Sequence, residues 1–191
     1  DYLKFNTKIL KTDFIAHEEI GTTGVINVYI PYTNIINFFF EKFGEFEYQH
    51  LSTVLVENLL ELPKVDRPQM FAHIKNKQFD LVVIENGRLM LCNSFSFTEK
   101  EDFLYYILFT AEQLNLKPEH FRLFLLGAIS KASPLFKIAF EYIKHIELLE
   151  TDFSFNKKEE LIFKKIVLKE IKKYDLVVVS DYGHGLITKK L

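Results

Sequence analysis

Apolar residues between Met70 and Leu149 recur with two different periods, and the order of those periods predicts a fold. Three short apolar-rich runs come first: Met70–Lys75, Phe79–Glu85 and Arg88–Phe97. The first join, Asn76-Lys77-Gln78, is short and polar. The second is Asn86-Gly87, a pair suited to a type I′ turn because both central residues need φ > 0. The runs therefore read as an antiparallel meander. A helix follows, with Thr98 and Glu101 as its capping box and Phe103, Leu104, Ile107, Leu108, Ala111 and Leu114 as one apolar stripe. Lys117-Pro118 ends it. Phe121–Leu126 is continuous apolar sequence, the pattern of a parallel strand buried on both faces. Ser133-Pro134 supplies an N-cap and an N1 proline for a helix running to about His145, and Ile146–Leu149 reads as a last strand. Residues 70–150 thus read β-β-β-α-β-α-β.

Residues 1–62 read as a shorter version of the same order. Lys8–Ile20 and Val25–Ile30 flank the turn Gly21-Thr22-Thr23-Gly24 and predict a hairpin. Pro31 ends its second strand. Thr33 is placed to cap a helix over Asn34–Phe43, with Gly44 as the residue after it. Ile35, Ile36, Phe39, Phe40 and Phe43 follow helical spacing. Glu45–His50 predicts a strand, and Ser52 a cap for a helix over Thr53–Leu62 that Pro63 stops. Residues 63–69, with two prolines and three charges, form the best internal boundary.

Composition shifts again near residue 151. Asn156 and Glu159 cap a predicted helix, Lys157–Lys173, that holds seven Lys and three Glu and carries +4. Residues 174–191 sum to zero, so with a net charge of −2 the first 156 residues carry −6. Leu176–Val179 reads as a short buried strand, with Ser180–Gly185 as a loop at its carboxyl end.

The 191 residues are 48% hydrophobic, enough for a sizeable core. The small negative charge offers no basic field for nucleic acid. No apolar run approaches the roughly 18–20 residues of a membrane span, and the N-terminus lacks a secretory pattern. One cysteine, Cys92, excludes an intrachain disulfide and fits a reducing compartment, hence a cytoplasmic protein. A start at Asp1 rather than Met reads as a fragment.

Few constellations promise chemistry. His17, Glu18 and Glu19 are adjacent on a predicted strand and point to opposite faces, so they do not converge on a metal. His50, His73, His120 and His145 have no zinc spacing. Cys92 has no base paired with it in sequence and reads as a buried structural thiol. Phe103, Tyr106, Ile107 and Phe109 read as core, with Tyr105 and Tyr106 within reach of an interface.

The order of residues 70–150 is that of the ribonuclease-H-like unit, which actin, sugar kinases and pilus-assembly ATPase-like proteins use in pairs. More specifically, residues 1–150 resemble a bacterial family of unknown function with this actin-like ATPase architecture. The resemblance is carried by Val28–Gly44 (VYIPYTNIINFFFEKFG), Asn86–Phe97 (NGRLMLCNSFSF), Glu101–Leu116 (EDFLYYILFTAEQLNL) and Leu123–Ile129 (LFLLGAI). It implies an α/β fold with an actin-like, ribonuclease-H-like core preceded by a partial β-β-α-β unit. Actin-like ATPases hold nucleotide through glycine-rich hairpins and an aspartate that positions Mg²⁺, because backbone N–H groups must approach phosphate closely. Here the first turn, Asn76-Lys77-Gln78, has neither Asp nor Gly, and Gly127 stands alone before Ala128. Glu85, Asn86, Gly87 and Gly127 are the residues a residual nucleotide site would use; a plain hairpin turn explains Asn86-Gly87 equally.

Residues 157–191 resemble the strand and loop midway through ribokinase-type carbohydrate kinases, near those acting on heptose phosphates. The likeness implies a ligand loop: Asp181 accepting a sugar hydroxyl, Gly183 and Gly185 approaching phosphate, and Tyr182 and His184 beside them. That family's catalytic aspartate lies in a later glycine-rich G-A-G-D motif with no counterpart here, so the chain is not a complete kinase. The resulting reading is a non-catalytic interaction or scaffold protein on a degenerate actin-like fold. It needs no cofactor and works through a protein partner or self-association, by analogy in an envelope-associated assembly. The alternatives are a carbohydrate-kinase fragment and a divergent ATP-binding domain, and both would use Mg·ATP.

Overall fold

A computed structural model describes residues 2–149 together with 165, 168, 169, 172 and 173. The predicted strand Leu176–Val179 and the loop Asp181–Gly185 lie outside the described residues, as does most of the predicted helix Lys157–Lys173. The element order is α1 (Tyr2–Asn6), β1 (Ala16–Glu19), β2 (Ile26–Tyr29), α2 (Thr33–Phe43), α3 (Leu51–Leu60), β3 (Gln69–Ile74), β4 (Gln78–Glu85), β5 (Arg88–Ser96), α4 (Lys100–Gln113), β6 (Arg122–Gly127), α5 (Pro134–Tyr142) and β7 (Ile146–Leu148). Two compact units divide them: Asp1–Asp66 with Ile84–Cys92, and Arg67–Val83 with Asn93–Leu191.

The large sheet is mixed, with strand order β5-β4-β3-β6-β7. Short turns join β3, β4 and β5, which only an antiparallel meander allows. β6 lies parallel to β3, with Phe71 opposite Phe124, and β7 lies parallel to β6. Every residue of β3 is buried, as are the four central residues of β6. Parallel strands covered on both faces need such uninterrupted apolar sequence. One face of the sheet stacks on α4. Phe79 meets Phe103 edge-on at 4.9 Å between ring centroids, and Phe95 stacks on Tyr106 at 4.7 Å. Phe103 and Ile107 are fully buried there. Asn86 and Gly87 both hold φ > 0, at 52° and 73°, as their turn requires.

Several sequence expectations shift. α4 is capped by Glu99 and Asp102 rather than Thr98 and Glu101. The shorter Asp102 side chain reaches back to accept from both the Thr98 and Glu99 N–H groups at 3.0 Å. Thr110 is buried on its stripe, while Phe109 turns outward and stacks on exposed Tyr105. α5 starts with the predicted Ser133 cap and N1 proline but stops at Tyr142, where Ile143 turns extended. Cys92 is exposed rather than buried, because β5 is an edge strand and its residues 88, 90 and 92 face outward.

The corrections in the first unit are larger. Strand β1 covers only Ala16–Glu19 of the predicted Lys8–Ile20. The predicted strand Glu45–His50 has no ladder and is not a strand, so residues 1–66 read β-β-α-α after their first turn of helix. α2 begins at Thr33 itself, and the Tyr32 carbonyl accepts from the Ile35 and Ile36 N–H groups without a side-chain cap. α3 is capped by His50, not Ser52: His50 Nδ1 accepts the Ser52 N–H at 3.1 Å.

Candidate functional site

β3 and β6 run side by side in the same direction, but the chain leaves them on opposite sides, β3 toward β4 and β6 through α5 to β7. Open α/β sheets bind ligands outside the carboxyl ends of strands at such a point. A polar cluster stands there. His73 lies near the end of β3, Lys75 just after it, Asp80 near the start of β4 and Ser94 on β5.

Turn geometry assembles these residues. Lys75 N–H donates to the Gln78 carbonyl at 2.8 Å and closes the first turn, which sets His73 across from Asp80. Ser94 arrives by a less regular route. Counting from the Asn86-Gly87 turn would set Asn93 opposite Asp80. At the base, however, Phe97 N–H donates to the Lys77 carbonyl, a register one residue further on. β5 therefore carries one extra residue, a bulge that turns Ser94 toward Asp80.

Asp80 is 3% exposed. Its Oδ1 accepts from Ser94 Oγ at 2.6 Å, its Oδ2 pairs with Lys75 Nζ at 2.5 Å, and His73 Nδ1 stands 3.6 Å from Oδ2. Burial works against the charge on Asp80. The contacts with His73, Lys75 and Ser94 and the Lys75 charge outweigh it and hold the carboxyl far below the usual range. His73 Nδ1 is buried and has no hydrogen-bond partner among the described residues. The other edge of the His73 ring packs against Gly127. A Cβ built on Gly127 would stand 2.4 Å from the Ile74 carbonyl oxygen and 2.9 Å from His73 Cδ2. With φ at +89°, Gly127 is glycine because strand and imidazole leave no room.

The residues singled out from sequence for a residual nucleotide site behave separately. Asn86-Gly87 is a tight turn, and a Cβ on Gly87 would meet Lys64 Cε at 2.6 Å. Glu85 is the last residue of β4, half-buried. Gly127 belongs to the cluster just described. The kinase-like set Asp181, Tyr182, Gly183, His184 and Gly185 lies outside the described residues. His73, Lys75, Asp80 and Ser94 were not legible as a set, although His-x-Lys-x₄-Asp around a tight turn was a usable signal for the first three.

A second polar network occupies the first unit. Glu18 accepts the His50 N–H on both oxygens at 3.0 Å and the Tyr29 hydroxyl on one of them. Asn27 Nδ2 donates to Thr53 Oγ1 at 3.0 Å, and Thr53 is fully buried. Burial opposes the charge on Glu18, yet hydrogen bonds from Thr53, Tyr29 and His50 hold it below its ordinary value, while burial and Glu18 raise Tyr29. These bonds tie the hairpin to the start of α3. His17 and Glu19 point outward while Glu18 points in, so the three do not converge. Among the described residues no cluster of His, Cys, Asp and Glu could hold a metal ion, and no helix is long and apolar enough to cross a membrane.

The family described as "Protein of unknown function (DUF3822)" matches residues 1–146. No curated protein matches. A solved structure from Bacteroides thetaiotaomicron, described as a protein with actin-like ATPase fold and unknown function, superposes with a TM-score of 0.70 at 22% identity. The match covers 78% of this chain and 58% of that one, so the chain spans little more than half the length of that relative. At this identity the likeness establishes the actin-like fold and nothing finer.

Proposed function

We propose that this chain, which belongs to the DUF3822 family of proteins of unknown function, is a non-catalytic interaction or scaffold protein on an actin-like ATPase fold. One observation carries the reading: the ligand end of the sheet is filled by the chain's own side chains. Lys75 puts an ammonium on Asp80, the position a cation would take on a carboxylate there. Ser94 takes the other carboxylate oxygen, and the His73 ring occupies the side of Gly127 that a phosphate would have to approach. A nucleotide would have to displace the partners of Asp80, a buried carboxylate that is costly to leave unpaired.

A thermal-shift titration with Mg·ATP, Mg·ADP and a panel of sugar phosphates tests this. A ligand at about 100 times its dissociation constant adds about 2.7 kcal/mol, or roughly 5–10 °C for a chain of this size. The expected result is no shift. A shift with nucleotide overturns the reading in favour of a divergent ATP-binding domain. A shift with sugar phosphate that disappears in Asp181→Ala overturns it in favour of the kinase-like loop.

A further inference from the structure

α2 buries none of its residues, although its sequence is Thr-Asn-Ile-Ile-Asn-Phe-Phe-Phe-Glu-Lys-Phe. Its rings form a connected row with the segment that follows. Phe39 lies 5.7 Å from Phe38, 6.0 Å from Phe43 and 6.1 Å from Phe46, and Phe46 lies 5.9 Å from Tyr48. Phe38, Phe40, Phe43, Phe46 and Tyr48 each expose more than a third of their surface. With 150–250 Å² per ring side chain, they offer roughly 500 Å² of apolar area, near the top of what a monomer leaves bare.

The rim of this face is acidic. Glu41, Glu45 and Glu47 are exposed among the rings, with Lys42 alone of opposite sign. The first unit as a whole holds eleven acidic side chains against six basic ones. Such a rim repels nucleic acid and anionic lipid and attracts an apolar segment flanked by cations. The chain carries a segment of that kind. Lys157–Lys173 holds seven Lys and three Glu, and Ile162, Phe163, Ile166 and Val167 recur at helical spacing. Lys165, Leu168 and Lys169 are helical and exposed.

We propose that two copies of this chain associate reciprocally, the basic segment Lys157–Lys173 of each seated on the acidic aromatic face of residues 33–48 of the other. This deepens the interaction-protein reading and rests on it. Reciprocity closes the assembly at two copies, whereas one-way stacking would run on as a filament. It also uses the face twice, which brings the buried area to the roughly 1,200–2,000 Å² of a stable pair.

Sedimentation velocity on the full chain tests this. The expected result is a concentration-dependent dimer at about 50 mM salt that weakens at least about tenfold at about 0.5 M, because the rim charges are screened. Phe40→Asp and Phe43→Asp, on exposed positions and with unchanged circular dichroism, should each weaken it by about tenfold or more. Glu45→Lys with Glu47→Lys should weaken it as well, and Lys164→Glu with Lys165→Glu in the same chain should restore it. A monomer throughout the range at low salt overturns the proposal. So does a dimer that neither the aromatic substitutions nor the charge swap affects. A nucleotide-induced thermal shift would strike the scaffold reading without touching this result, so the two failures are distinguishable.

Discussion

The two units place their polar and apolar residues in opposite ways. In the second, apolar strands are buried on both faces, and the polar residues His73 and Asp80 on the strands and Thr110 on α4 sit inside a surrounding core. In the first, the hairpin turns Glu18, Asn27 and Tyr29 inward, where they are bonded to His50 and Thr53. Its apolar residues Ile26 and Val28 face outward instead. α2 also leaves apolar side chains outward, Phe38, Phe40 and Phe43 among them. One unit buries whole apolar strands, with polar bonds as a detail. The other buries few apolar side chains, Ile20, Val56, Leu59 and Ile84, beside its polar bonds, and leaves much apolar surface exposed. An isolated two-stranded hairpin is marginal in water, and the bonds that Glu18 accepts from His50 and Tyr29 add to it.

That contrast yields graded expectations. Phe103→Ala removes a fully buried ring that meets Phe79 and Phe97 and should cost about 3–5 kcal/mol in denaturant unfolding. A cost below about 1 kcal/mol would mean that the sheet-and-α4 core does not dominate stability. Asp80→Asn should cost about 2–4 kcal/mol near neutral pH, because it strips the paired charge from Lys75. The folded carboxyl titrates below its unfolded value of 3.8, so the unfolded chain binds the extra proton. The stabilisation is therefore complete above about pH 5 and fades as pH falls through 4 toward the depressed folded value. Unfolding midpoints of both proteins between pH 3 and 7 should converge toward acid; parallel curves would remove the ion pair from the account. Glu18→Gln should cost about 1 kcal/mol with the same sign, its effect shrinking below about pH 4.5. Phe40→Ala, at an exposed ring, should stay within about 0.5 kcal/mol despite the size of the deletion.

Sequence legibility follows the same division. The meander, the buried strand Arg122–Gly127 and the Ser133-Pro134 helix start were readable because burial imposes local periodicity and local turn chemistry. In the first unit, β-branched and aromatic content over Lys8–Ile15 and Glu45–His50 imitates strands. A strand needs a partner ladder, however, and composition cannot supply one. The polar cluster was half legible. His73, Lys75 and Asp80 follow from a closed turn between neighbouring strands, but Ser94 reaches Asp80 through a bulge, and a one-residue slip of register is invisible to alternation.

The Lys75 ammonium on Asp80 has a consequence for the protein's surroundings. A diffusible cation on a carboxylate is present in proportion to its concentration and leaves when a chelator competes for it. A cation tethered five residues away along the chain is held at an effective concentration that no dilution changes. The Asp80 charge is therefore met from within the chain, by a partner that dilution does not remove.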